Sequence, residues 1–201
     1  QDNELIVEGD LTVNAPNATV VNNLTVKGTT TIEDVADNTF ENNGIVVELK
    51  IKDKDGANII NSGKVGTLDI KENTAEITVT NQKEIMSLQI RANVSNVKVD
   101  NEDTVGAVKV EKGARGIEIA ENRGAKLGKI KNNAGNGVVL KENGIKKDIN
   151  EHNKVPDEIG VDPGDNPRFD DIKEDDEESD EDSNENDNKN IEEEVTNIVN
   201  Q

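Results

Sequence analysis

The sequence predicts an all-β fold: a parallel β-helix, or solenoid, with about 20 residues per rung, followed by a disordered acidic tail. Three observations predict it. A short apolar signature recurs at a nearly constant period, a second alternating patch follows each copy, and the charge divides the chain into two different materials.

The signature is apolar-x-x-apolar-x-apolar. It runs through Val65-Gly66-Thr67-Leu68-Asp69-Ile70, Ile85-Met86-Ser87-Leu88-Gln89-Ile90, Val105-Gly106-Ala107-Val108-Lys109-Val110 and, less completely, Leu127-Gly128-Lys129-Ile130-Lys131, at offsets of 20, 20 and 22 residues. Upstream, Val46-Val47-Glu48-Leu49-Lys50-Ile51 and Val21-Asn22-Asn23-Leu24-Thr25-Val26 fit the same template at offsets of 19 and 25, which predicts an inserted loop around Asp37 to Asn43.

The second patch lies about nine residues after the central residue of each unit, at Ile77-Thr78-Val79, Val97-Lys98-Val99, Ile117-Glu118-Ile119 and Val138-Val139-Leu140. Alternating β-branched residues predict half-buried strands. The connectors, such as Lys52-Asp53-Lys54-Asp55-Gly56 and Lys131-Asn132-Asn133-Ala134-Gly135-Asn136-Gly137, are rich in Gly and Asn, which tolerate the positive φ angles of tight corners. Helical periodicity is absent from this part of the chain.

An antiparallel sandwich is the main competitor, but sandwich strands are not expected to hold one template in register every 20 residues. In a solenoid, Leu68, Leu88, Val108 and Ile130 stack as a narrow aliphatic column. A core of that shape explains how a chain with 31% apolar and 1% aromatic residues can fold. About seven rungs at ~4.8 Å spacing make a rod on the order of 30 Å long. Outward ladders follow from the same register: Thr78, Lys98 and Glu118, with Lys98 and Glu118 expected to pair, and Asp69, Gln89, Lys109 and Lys131.

Residues 1–147 hold 22 acids and 19 bases, a net of -3, whereas 148–201 hold 21 acids and 4 bases, a net of -17. The predicted organisation is therefore a β-helix over 1–147, a Pro/Gly-containing linker over 148–169, an acidic low-complexity disordered segment over 170–190, and a short amphipathic helix over 191–201. The acidic segment cannot bury enough apolar area to offset its backbone entropy, and its charges repel one another. The terminal helix rests on Ile191, Val195, Ile198 and Val199 at helical spacing, with Asn190 as N-cap and Glu193 three residues later. The chain begins at Gln1 with no charged-then-apolar leader, which reads as a processed product or a segment of something longer.

Two stretches, Ile6-Val7-Glu8-Gly9-Asp10-Leu11-Thr12-Val13 and Asn22-Asn23-Leu24-Thr25-Val26-Lys27-Gly28-Thr29-Thr30-Thr31-Ile32, resemble the β-helix segments of bacterial surface proteins that carry S-layer homology domains. The rung Lys64–Ile70 and the turn Glu111-Lys112-Gly113-Ala114 match the same pattern, and the likeness covers roughly residues 5–145. The S-layer homology modules themselves are not in this sequence, so no wall-anchoring residue transfers. What the resemblance implies is a right-handed parallel β-helix of the pectin-lyase-like kind, secreted to a bacterial cell surface, with an architectural or adhesive role.

Several function classes are excluded or weakened by composition. A charge of -20 and the absence of Tyr and Trp argue against nucleic acid, which needs basic grooves and stacking aromatics. No apolar run exceeds three residues, so membrane insertion through an apolar helix of about 20 residues is not expected. The absence of Cys removes disulfides and thiolate sites. Parallel β-helices also host polysaccharide lyases and pectate-type hydrolases, whose sites need clustered carboxylates and an exposed base. Glu76 with Lys98, or Asp100 with Glu102 and Asp103, are the nominees, and solvated strand and turn charges are the preferred reading of both.

Asp53-Lys54-Asp55-Gly56 is similar to half of a calcium loop, but Ile51 and Ser62 occupy the first and last ligand positions, so a tight turn is preferred. His152 is the sole histidine and is expected to be exposed in the linker. Gly66, Gly106 and Gly128 read as corner glycines, outside any phosphate-loop context. Asn17-Ala-Thr, Asn23-Leu-Thr and Asn93-Val-Ser are sequons that 29 Asn produce by chance. The acidic run Asp175–Asp182 reads as a solvating spacer.

The sequence therefore nominates no catalytic, cofactor-binding or metal-ligating residue. The preferred function is a non-enzymatic structural or adhesive rod, with cell-envelope or surface proteins as partners. Self-polymerisation through the end rungs and a glycan-binding or degenerate lyase-like β-helix are the alternatives.

Overall fold

The computed structural model describes residues 5–35, 39–73, 75–154, 159–161 and 163–164. They form a parallel β-solenoid of about seven turns, each turn giving strands to two sheets. Side by side in the first sheet lie Thr25–Asp34, Ile45–Ile51, Lys64–Ile70, Glu84–Ile90 and Thr104–Val110. Ile6–Val7 and Leu11–Asn14 extend it at one end, Lys126–Leu127 and Ile130–Asn132 at the other. The second sheet stacks Val20–Asn22, Thr39–Asn42, Ala57–Asn61, Ile77–Asn81, Ser95–Asn101, Arg115–Glu121 and Val138–Glu142.

Register follows the sequence period. Leu49, Leu68, Leu88, Val108 and Ile130 are Cα partners in succession, as are Ile77, Val97, Ile117 and Val138. All are buried, and each contributes roughly 1.5–3 kcal/mol of apolar transfer. The parallel pairing excludes the sandwich.

In the second sheet inward positions alternate strictly, as at Ile77, Val79 and Asn81. In the first they fall at Val65, Leu68 and Ile70, three apart and then two. Gly66 and Gly106 consequently lie inside strands, not at corners as expected. A Cβ on Gly106 would clash with the Met86 carbonyl oxygen, so glycine allows the turns to approach there.

The template fit at Val21-Leu24-Val26 is corrected. Val26, not Val21, is the partner of Val46, and Thr30 stands opposite Leu49. The spacing there is 20 residues. The extra residue is a bulge between Val26 and Thr29, and Thr30 at the central apolar position hides the rung from an apolar pattern.

The last turn is closed off. Asn143 (φ 50°) and Gly144 (φ 79°) make a two-residue turn that folds Ile145–Lys147 back antiparallel on Val138–Glu142. Asp148 then caps the short helix Ile149–His152, its carboxylate accepting from the Asn150 amide at 2.8 Å. Beyond the helix, the Asn153 side chain takes the place of a neighbouring strand. Its oxygen accepts from Ile130 N and its amide donates to Ile130 O, both at 2.7 Å. One side chain thereby satisfies an edge that would otherwise be open. Further on, Ile159 and Val161 return to the first sheet, with methyls 3.2 and 3.1 Å from the Cβ position of Gly106. The acidic segment 170–190 and the helix expected over 191–201 lie outside the described residues.

Candidate functional site

Three arrangements of polar side chains stand out. The longest is a ladder of asparagines at the corner where each second-sheet strand ends. Asn22, Asn42, Asn61, Asn81 and Asn101 are register partners and are buried. The amide of each donates to the side-chain oxygen of the next, at 2.9, 3.0, 2.8 and 2.9 Å. The same amides also reach main-chain carbonyls at the corner: Asn81 Nδ2 donates to Lys83 O at 3.2 Å and to Thr104 O at 2.9 Å. A primary amide supplies two donors and an acceptor, so one asparagine per turn can bond the turn below, the turn above and its own corner. A search for apolar periodicity does not reveal this ladder. Its signal is Asn two residues after the last inward apolar residue of the second-sheet strand, at intervals of 20, 19, 20 and 20 residues.

At the C-terminal end two glutamates continue the same column, because Glu121 is the partner of Asn101 and Glu142 the partner of Glu121. His152 closes it. Its Nδ1 lies 3.0 Å from Glu142 Oε1 and 4.0 Å from Glu121 Oε2, while Nε2 faces Leu127 O at 3.1 Å and Gly128 O at 3.0 Å. The expectation of an exposed linker histidine is therefore corrected: its side chain is 9% exposed. The helix cap at Asp148 places it over the last turn, which single-sequence reading of a charged linker does not reveal. The ring therefore sits between a carboxylate on one side and two main-chain carbonyl oxygens on the other. Burial pushes the Glu121 carboxyl up, and the nearby Glu142 charge adds to this, against the opposing pull of His152.

The third arrangement gathers Asp34, Asp53 and Asp55, whose ligand atoms lie within 4.8 Å of one another. Asp34 ends the strand Thr25–Asp34, and the other two lie in the connector after Ile45–Ile51. Asp53 is fully buried. Its Oδ2 accepts from Val35 N at 2.7 Å, and its buried Oδ1 has no hydrogen-bond partner. Burial raises the Asp53 pKa, the Val35 amide opposes that, and Asp55 and Asp34 raise it further.

The nominated catalytic charges are not brought together into either carboxylate cluster found among the described residues. Lys98 pairs with Glu76 at 2.7 Å, both about half exposed, and Glu118 pairs with Lys141 at 2.7 Å. The expected Lys98–Glu118 pair is thus replaced by two diagonal ones, although the two residues are in register. Asp100 accepts from Asn122 and Asp103 from Thr104. The ladder through Asp69 has the expected register but is not exposed at its start. Asp69 is 1% exposed and is gripped by Arg91, Nε to Oδ1 at 2.7 Å and Nη2 to Oδ2 at 2.9 Å, with Lys71 beside it. Arg91 also reaches Glu111 on the following turn at 2.9 Å.

No family model, curated protein or solved structure matches the chain. The fold and these clusters define the class: a parallel β-solenoid repeat protein with an internal asparagine ladder.

Proposed function

We propose that this chain is a non-enzymatic structural rod of a bacterial cell-surface protein, S-layer-associated, in which the solenoid holds attached segments apart and the acidic stretch after it acts as a spacer. The observation that carries this reading is the continuity of the stack. Parallel pairing continues turn by turn from Val26 to Leu140, with an aliphatic column throughout and an amide ladder from Asn22 to Asn101. Such a rod resists bending because every turn is bonded to both neighbours over two sheets. The surface assignment rests on the resemblance of Asn22–Ile32 and of Lys64–Ile70, both of which fall in stacked turns.

The two ends differ, which favours a stalk over a head-to-tail filament. At the N-terminal end the described strands Ile6–Val7 and Val20–Asn22 border the sheets, with Leu5, Ile6 and Val21 exposed. At the other end the antiparallel Ile145–Lys147, Asn153 and His152 occupy the last turn. Copying the parallel register onto that end requires displacing them.

The test combines localisation and shape. Antibodies against the solenoid should label intact cells, and negative-stain images of the purified chain should show short single rods at every concentration. Labelling only after cell lysis overturns the surface role, and long filaments replace the stalk with a polymer.

A further inference from the structure

We propose that Asp34, Asp53 and Asp55 form a calcium-binding site that ties the second turn of the solenoid to the third. Two independent observations meet there. Three carboxylates offer oxygens within 4.8 Å of one another. Within that group, fully buried Asp53 carries an Oδ1 that no donor satisfies, although its Oδ2 accepts from Val35 N at 2.7 Å. A buried carboxylate oxygen without a partner is rare in native structures and marks an absent ion, water or proton.

The chemistry of the donors selects the ion. All three are hard oxygen ligands, which suit calcium or magnesium rather than zinc or copper. Oxygens on opposite sides of one ion are separated by up to twice the metal–oxygen distance, about 4.6–5.2 Å for calcium and about 4.0–4.2 Å for magnesium. Oxygens no more than 4.8 Å from one another lie within what one calcium ion can bridge, and magnesium sheds its water less readily. Asp55 is exposed, so water has access to complete the coordination shell, while buried Asp53 supplies the inner anchor. Gly56, at φ 107°, turns the chain directly after Asp55.

A linear calcium-loop pattern misses this arrangement because the ligands are not consecutive. Asp34 comes from one turn and Asp53 and Asp55 from the next, 19 and 21 residues later. The solenoid supplies the proximity that an EF-hand obtains within 12 residues. Binding ties the two turns together, and it depends only on the fold, not on the surface role proposed above.

The test uses the whole chain, whose acidic segment also attracts cations, so the readout must be local. Calcium chloride should shift the backbone amides of Val35, Asp55 and Gly56 saturably in a heteronuclear NMR titration. It should also raise the thermal midpoint on the order of 5 °C above that in EDTA. Magnesium at equal concentration should do less. Asp53→Asn, which keeps an acceptor for the Val35 amide, and Asp55→Asn, at an exposed position, should remove both responses and still fold. The proposal is overturned if amide shifts are confined to 170–190, or if Asp53→Asn shows the same calcium stabilisation as the native chain. It is equally overturned if calcium leaves both readouts unchanged, the result expected when a proton satisfies Asp53.

Discussion

Asn61 and Asn81 occupy the same inward position on adjacent turns, and the Asn61 amide donates to the Asn81 side-chain oxygen at 2.8 Å with both residues removed from water. Replacing Asn81 by Ala leaves that amide short of a partner and strands the Asn101 oxygen above it. Unsatisfied buried groups cost about 1–3 kcal/mol each, so Asn81→Ala is expected to cost about 2–4 kcal/mol. Asn81→Asp should cost more at neutral pH and less near pH 3, since a carboxylate donates nothing to Thr104 O and a protonated one donates once. Urea unfolding followed by far-UV CD measures both, the chain having neither Trp nor Tyr to report by fluorescence. A cost for Asn81→Ala below about 0.5 kcal/mol would show that the ladder follows the fold without holding it.

The aliphatic half of this architecture was legible in the sequence and the amide half was not, for a physical reason. Leu68, Leu88 and Val108 announce themselves because buried strands select apolar residues at fixed intervals. Asn61, Asn81 and Asn101 recur just as regularly, but Asn is also the commonest currency of turns, and in a chain with 29 of them the buried set is masked by the solvated ones. Thr30 shows the converse: a polar residue at a core position concealed a rung and displaced the assignment at Val21 by five residues. His152 and Asp34 gain their neighbours only from contacts between turns, which no local pattern carries.

Leu88 lies at the middle of the column, between Leu68 and Val108, and is fully buried. Leu88→Ala should lower stability by about 2–5 kcal/mol, the range for emptied core positions. Leu88→Asp should unfold several turns, because a solenoid transmits a defect to both neighbours. An unchanged CD spectrum and melting curve for Leu88→Asp would reject the core assignment.

Asp69 links stability to acid. Burial works to raise its pKa, but the hydrogen bonds and charges of Arg91 and Lys71 outweigh it and hold the carboxyl below the usual carboxylate range. A carboxyl depressed in the folded state adds stability that is present above its unfolded pKa, near 3.9, and is lost as pH falls through the folded value. The native chain should therefore lose stability below about pH 4, and Asp69→Asn should flatten that part of the curve. Arg91→Ala should cost about 1.5–3 kcal/mol at pH 7, the range for hydrogen bonds to a charged group, since it leaves the buried carboxylate with Lys71. A pH profile of urea midpoints identical in the native chain and Asp69→Asn refutes this assignment.

Glu121 has the opposite sign. Its pKa is raised, first by burial and then by Glu142, against the opposing charge of His152. A carboxyl raised in the folded state adds stability that is present below its unfolded pKa, near 4.3, and is lost as pH rises through the folded value. Between that pH and neutrality the C-terminal turn should loosen while the stack beneath it does not. Glu121→Gln removes the charge without shortening the side chain, and His152 keeps its closer partner Glu142 at 3.0 Å. The substitution should accordingly gain about 0.5–1.5 kcal/mol at pH 7 and slow amide exchange at Gly128 and Asn143. His152→Ala should do the reverse, leaving the two stacked glutamates with only the Lys147 ammonium, 3.6 Å from Glu142, and speeding exchange over 126–147, with 64–110 unaffected. Equal exchange in both variants would mean that the ring of His152 merely fills space over the last turn.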